Sequence, residues 1–301
     1  MAAGRELGEP RARALLKEAC AVAGHDPEGA RLVRVGSNAV FRLAAPVVVR
    51  IARHGVSADQ AHRTVGVARW LERAGYPAVR LAGTDADQPV VIDGHAVTFW
   101  QAISEDGDVY ASAGEVASLL AELHSLAAPE HLILPVLEPF GSASERIAAS
   151  GWLGEGDRSF LTGMLAEMRS RYAGLRFVLP QGVIHGDANV GNVLLDSCGN
   201  PVVIDLDGFA AGPREWDLAL TAIYYDSFGW HTREEYGTFV RVYGYDIMQW
   251  DGYPVMRATR ELLMVTWVIQ KATDSKHAER EARKRIAALR TGASRKDWEP
   301  F

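Results

Sequence analysis

Two rhythms of hydrophobic and polar positions run along this chain, and the change from one to the other divides it. From Pro10 to Gly24 apolar residues recur at helical spacing, with Pro near the start and Gly at the end, which predicts a short amphipathic helix. Arg31 to Val35, Ala39 to Ala44 and Val47 to Ala52 are instead β-branched or alternating, separated by Gly36-Ser37-Asn38 and Ala45-Pro46. That punctuation predicts three antiparallel strands. Ser57 is placed to cap a helix from Ala58 to Ala74 that stops at Gly75, with Val65, Ala68 and Leu71 on its buried stripe. Val79 to Gly83 and His95 to Ile103 read as two further strands, joined across the Asp85-Ala86-Asp87 and Asp93-Gly94 turns, which completes a five-stranded unit.

Beyond Ser112 the helical rhythm takes over. Ala113 to Leu126 and, despite Gly151, Gly154 and Gly156, Ser144 to Ala173 read as helical, with Pro129 to Gly141 an irregular connection between them. A sheet fragment interrupts: Val183-Ile184, Val193 to Leu195 and Val202 to Ile204, around a Cys198-Gly199-Asn200 turn. After Pro213 the period is helical again. The expectation is an α+β chain with a small five-stranded antiparallel N-terminal lobe, residues 1–101 with the leading helix, and a larger, mainly helical C-terminal lobe, residues 102–301.

Composition narrows the function classes. The 301 residues are 48% hydrophobic and 23% charged, ordinary values for a folded globular protein. With 38 acidic against 32 basic residues the net charge is -6, which gives no broad cationic surface for nucleic acid. The apolar run Leu262 to Ile269 falls far short of the ~20 residues of a membrane span, and Met1 to Pro10 lacks a signal-peptide core, so a cytoplasmic protein is expected, with neither nucleic acid nor membrane as partner. Cys20 and Cys198 have no neighbouring Cys/His cluster and read as two reduced thiols.

Chemistry concentrates in Val183 to Asp207, where polar residues sit at the ends of apolar strands. Asp187, Asn192, Asp205 and Asp207 offer hard oxygen ligands, the type Mg²⁺ accepts alongside phosphates and water. Singly each has a plainer reading: Asp187 as a turn cap, Asn192 as a left-handed residue before a strand, Asp205 and Asp207 as loop brackets. Together, His185-Gly186-Asp187, Asn192 five residues on, and Ile204-Asp205-Leu206-Asp207 resemble the His-Gly-Asp-x-x-x-x-Asn and Ile-Asp-x-Asp motifs of the aminoglycoside phosphotransferase and choline kinase family, distant relatives of protein kinases.

The resemblance implies a two-lobed protein-kinase-like fold and Mg²⁺-dependent transfer of the γ-phosphate of ATP or GTP to a hydroxyl of a small molecule, an antibiotic or related metabolite. In that reading Asp187 orients the hydroxyl and accepts its proton, Asn192 and Asp205 bind the metal, and His185 holds the catalytic loop. Asp207 is assigned either to the metal or to supporting Asp205 or Arg214. Gly36, Ser37 and Asn38 occupy the position of the phosphate-covering loop, Arg50 that of the strand-three cation, and Trp100 and Ala102 that of the connector beside the purine. Arg53, the other cation nearby, faces the opposite way from Arg50 if the strand alternates.

One departure follows. Relatives carry an acidic residue near the start of the following helix to pair with the strand-three cation, and Thr64 stands there instead. Asp59 and Glu72 are not at substituting positions. The departure and the sparse glycine loop, with Gly36 alone, motivate an alternative class, a nucleotide-binding or peptide-docking module with little transfer; a peptide Ser/Thr kinase is a further alternative. Arg214 to Tyr253 is rich in aromatic and acidic residues, many of them core by their spacing. Asp226, Tyr224 and Trp230 are the candidates for the acceptor pocket. The basic stretch Lys271 to Lys296 reads as a solvated helix face, and a monomer or homodimer is expected.

Overall fold

In the computed structural model, which describes residues 7–36, 38–53, 58–104, 108–273 and 275–300, the sheet forms where the alternation is clearest. After helix α1 (Glu9–Ala23), strands β1 (Arg31–Val35), β2 (Asn38–Arg42) and β3 (Val47–Ala52) make an antiparallel meander, followed by helix α2 (Ala58–Arg73). β4 (Val90–Ile92) and β5 (His95–Gln101) complete a five-stranded antiparallel sheet in the order β1-β2-β3-β5-β4. Along β3, Val47, Val49 and Ile51 are buried in a core with Ala39 and Phe41 of β2 and Leu15, Leu16 and Ala19 of α1. Each Leu so buried contributes roughly 1.5 to 3 kcal/mol, which is what α1 offers the sheet. The intervening residues, Val48 and Arg50 among them, face the other side. The expected cap Ser57 lies outside the described residues.

The fifth strand is not the expected one. Val90–Ile92 takes that place, and Val79 to Gly83 runs alongside with a single bridge, Leu81 to Trp100. The cause is competition for one edge of β5. β4 holds His95 to Val97 through a two-residue hairpin in which Asp93 and Gly94 both have positive φ (47° and 77°), the requirement of a tight primed turn. What is left of that edge takes only two bonds, Ala82 N to Phe99 O and Gln101 N to Arg80 O, both 2.9 Å or shorter.

Helices α3 (Ala113–Leu123), α4 (Ala143–Ala149) and α5 (Glu155–Ala173) follow, the last two replacing the single run expected from Ser144. Ser150 to Gly154 breaks it, since two glycines in five residues forfeit helix propensity. The sheet fragment is two separate pairs: β6 (Gln181–Ile184) with β9 (Ala210–Pro213), and β7 (Val193–Leu195) with β8 (Pro201–Val203). Helix α6 (Glu215–Ile223) continues into a widened π turn at Tyr224–Phe228, and α7 (Arg233–Tyr243), α8 (Tyr253–Lys271) and α9 (Lys276–Thr291) close the chain.

Contacts gather the chain into two compact units. One comprises Met1–Ala111, Ser125–Pro135 and Val190–Phe209; the other comprises Ser112–His124, Val136–Asn189 and Ala210–Phe301. The basic stretch is not solvated throughout. Arg285 is 1% exposed, pairs with Glu281 at 2.8 Å and lies over the Trp298 ring, because its position on α9 turns it toward the packed C-terminal segment. Among the described residues no helix is long and apolar enough to cross a membrane.

Candidate functional site

The loop after β6 carries His185, Gly186 and Asp187, and it is anchored from below by one carboxylate. Asp217, on the first turn of α6 and 1% exposed, accepts from the backbone N–H of His185 (2.7 Å) and of Gly186 (2.8 Å), while His124 Nε2 lies 3.2 Å away. Burial alone would raise the Asp217 pKa; the hydrogen bond and charge of His124, with the contribution of His185, outweigh it and hold the carboxyl below its usual range. Trp216 Nε1 donates to Gly186 O at 2.8 Å, closing the loop from the other side. Gly186 sits at φ 86°, a left-handed angle that lets the chain turn here.

Within this frame His185 is buried and its Nδ1 accepts from the N–H of Asp187 at 3.2 Å. The side chain of Asp187 is 59% exposed, with Arg260 Nη2 3.5 Å from its Oδ1. Arg260 is stacked over Trp216, its guanidinium carbon 4.3 Å from the ring centroid. Its pKa is lowered by burial, against the pull of Asp187 and Tyr224. An accessible carboxylate is thus held on a rigid loop beside a buried cation, which suits it to accept a proton from a bound hydroxyl.

Asn192 and Asp205 belong to the sheet-containing unit, and the β7–β8 register brings them together. Val193 pairs with Val203, and Ile204 N donates to Asn192 O at 2.9 Å, so Asp205 emerges next to Asn192. The hairpin is fixed at its tip by Asp196, whose Oδ1 accepts from Cys198 N and Asn200 N, both at 2.8 Å. Asp205 has φ 59°, a left-handed conformation for a non-glycine residue, of the kind that gathers at functional sites. Asp207 follows on a short 3₁₀ turn, Leu206–Gly208, against which α2 packs.

Both Asp205 and Asp207 engage Arg50 of β3. Arg50 Nη2 lies 2.6 Å from Asp207 Oδ2 and 3.3 Å from Asp205 Oδ1. Burial would lower the Arg50 pKa, and the two carboxylates more than reverse it. As to metal, Asn192 and Asp205 are the candidate donors. Among the described residues no group of three or more His, Cys, Asp or Glu is arranged to hold an ion. A carboxylate and an amide oxygen fit Mg²⁺, which completes its shell with phosphate oxygens and water instead of filling an all-protein cage.

A cavity of about 750 Å³ lies against the open face of the sheet. Its apolar walls include Val40, Val48, Trp100 and Leu194, and its polar positions include Arg50, Asn192 and Asp205. That size and mixture suit a small organic ligand with one charged end. Trp100 is buried and donates from Nε1 to Thr98 Oγ1 at 2.8 Å. The N–H of Ala102 donates to Pro46 O at 2.9 Å. Gly36 N donates to Asn38 O at 2.9 Å, closing the turn between β1 and β2; Ser37 lies outside the described residues.

Residues 30–259 match the model of a family described as the phosphotransferase enzyme family (APH). The chain belongs to that family. As a family member it is a small-molecule phosphotransferase, an enzyme that places phosphate on a hydroxyl. Solved structures share its fold. An amicoumacin kinase in complex with AMP-PNP, Ca²⁺ and Ami aligns with TM-score 0.71 at 14% identity, over 97% of this chain and 98% of that one. A microcompartment-associated aminopropanol kinase aligns with TM-score 0.72 at 17% identity (92% and 94%). A choline/ethanolamine kinase family protein from Mesorhizobium loti aligns with TM-score 0.63 at 19% identity (94% and 93%). Among curated proteins none matches.

Of this phosphotransferase's candidate acceptor residues, Tyr224 and Trp230 are brought together, ring centroids 4.8 Å apart. Burial, then the charge of Asp187, pushes the Tyr224 hydroxyl up to about 12. Asp226 is engaged elsewhere: Arg257 Nη1 lies 2.5 Å from its Oδ2 and Tyr253 OH 3.3 Å. Sequence reasoning did not single out Asp217, Trp216 or Arg260 as site residues. Glu215-Trp216-Asp217 follows Ile204-Asp205-Leu206-Asp207 closely, but only the fold shows that Asp217 turns back beneath His185.

Proposed function

We propose that this phosphotransferase moves the γ-phosphate of ATP or GTP to a hydroxyl of a small molecule, an antibiotic or a related amine-bearing metabolite. The observation that supports it most is the Asp187 carboxylate, exposed on a loop pinned by Asp217 and Trp216. In this reading the acceptor O–H gives its proton to Asp187 as its oxygen bonds the γ-phosphorus and the bond from that phosphorus to the β–γ bridging oxygen breaks. The products are a phosphate ester and a nucleoside diphosphate. The cavity against the sheet takes the nucleotide, Trp100 and the valines flanking its base and Arg50 meeting its phosphates. Asn192 and Asp205 would hold Mg²⁺, which when bound supplies positive charge over the β- and γ-phosphate oxygens. His185 keeps the loop in place from its buried position, and Tyr224 with Trp230 offers an aromatic face to the acceptor.

The non-transferring alternative was motivated by the missing helix acid and the sparse glycine loop; against the first of these, Arg50 has carboxylate partners in Asp205 and Asp207. Two measurements test the proposal. Thermal unfolding with ATP or GTP, each with and without Mg²⁺, should show stabilisation by at least one Mg-nucleotide, about 2.7 kcal/mol at a hundredfold excess over Kd. Nucleotide consumption across a panel of hydroxylated antibiotics and amino alcohols should then rise with an acceptor. No stabilisation by either nucleotide would refute the binding half, and binding without acceptor-dependent turnover on any panel member would favour the docking module.

A further inference from the structure

The family pattern places an acid on α2 to orient the strand-three cation, and Thr64 occupies that position here. Thr64 is 4% exposed, so its hydroxyl needs a partner inside the protein. Two acceptors are in reach: Asp207 Oδ1 at 2.9 Å and the carbonyl of Gln60, one turn back on the same helix, at 3.1 Å. A hydroxyl has one proton, and the ionised, nearer carboxylate is the stronger acceptor. The other oxygen of Asp207 faces Arg50 Nη2 at 2.6 Å. Asp207 therefore stands between helix and cation, one oxygen toward each. The packing of α2 against the Leu206–Gly208 turn holds this arrangement in place.

We propose that Asp207 is the positioning residue for Arg50, performing from the Ile-Asp-x-Asp segment the task an acid on the helix would perform, with Thr64 fixing its orientation. The short hydroxyl side chain at position 64 leaves Asp207 Oδ2 to Arg50 while Oδ1 accepts from Thr64. Metal binding then falls to Asn192 and Asp205.

This inference rests on Arg50 meeting nucleotide phosphates, and its test separates the two ideas. Thr64→Val, Asp207→Asn and the double variant are compared by urea unfolding and by Mg-nucleotide affinity, with the half-saturating Mg²⁺ concentration measured alongside. Asp207→Asn should weaken nucleotide affinity roughly 10- to 100-fold and Thr64→Val about 3- to 10-fold, the usual worth of charged and ordinary hydrogen bonds. The double variant should be no worse than Asp207→Asn alone, since Thr64 acts through Asp207. Half-saturating Mg²⁺ should stay unchanged, and Thr64→Glu combined with Asp207→Asn should recover most of the lost affinity. Additive effects, or a Mg²⁺ requirement raised tenfold by Asp207→Asn while Thr64→Val changes nothing, would overturn the relay. Coupling between Thr64 and Asp207 in the unfolding measurements, with no nucleotide bound by the unsubstituted protein, would instead sink the nucleotide reading and with it the role given to Arg50.

Discussion

Replacing Asp217 by Asn removes a charge and turns one of two acceptor oxygens into a donor, at a site sealed from solvent. The carboxylate accepts from His185 N–H at 2.7 Å, Gly186 N–H at 2.8 Å and His124 at 3.2 Å. In the Asp217→Asn variant the amide oxygen satisfies one backbone N–H, and the amide nitrogen faces the other, donor against donor. A lost hydrogen bond to a charged group and a stranded N–H are each worth roughly 1 to 3 kcal/mol, so a loss of about 3 kcal/mol is expected. Urea unfolding followed by tryptophan fluorescence reads this as a midpoint lowered by roughly 1 M or more. The difference also has a defined pH dependence. A carboxyl held below its usual range stabilises the fold at every pH above the ordinary value of about 3.9, and that contribution disappears as pH falls through the lower folded value. The gap between the two proteins should therefore be constant near neutrality and close below about pH 4. A loss under about 0.5 kcal/mol, the range of an indifferent substitution, or a gap unchanged in acid, would refute this view of the anchor.

The two thiols should separate cleanly. Cys20 is buried and its pKa is pushed up to about 11, by burial first and then by Asp26, while Cys198 is exposed in its turn, so one equivalent of a thiol reagent should react promptly and the second only on unfolding. Peptide mapping that finds Cys20 labelled in the native protein would contradict this. Gly212→Ala on β9 places a methyl 2.9 Å from Ile184 Cδ1 and 3.0 Å from Leu137 Cβ, so about 1 to 3 kcal/mol of destabilisation is expected in thermal unfolding. An unchanged melting temperature would show that this pair of strands yields more easily than its packing implies.

How far the chain could be read before folding depends on where the deciding contacts lie. β3 came out with its true bounds because one face is buried and the other is not, a pattern local to six residues. β4 is three residues long, and its evidence was the Asp93-Gly94 turn, outweighed by the more strand-like Val79 to Gly83. β9, Ala210 to Pro213, has no strand propensity of its own and is strand only because β6 lies beside it. The motif residues were visible because their spacing is a local property. Asp217 was not, because its role comes from α6 turning back beneath a loop thirty-two residues earlier. Thr64 marked a departure in the sequence, and its contact with Asp207 at 2.9 Å comes only from the fold.

The most direct test of phosphoryl transfer through Asp187 is acceptor-dependent release of nucleoside diphosphate by the unsubstituted protein and by Asp187→Asn, with nucleotide affinity measured in parallel. Turnover should fall by about 10² to 10⁴, the usual contribution of a positioned base, with affinity nearly intact. Equal turnover by the two proteins on the same acceptor would contradict the role given to that carboxylate.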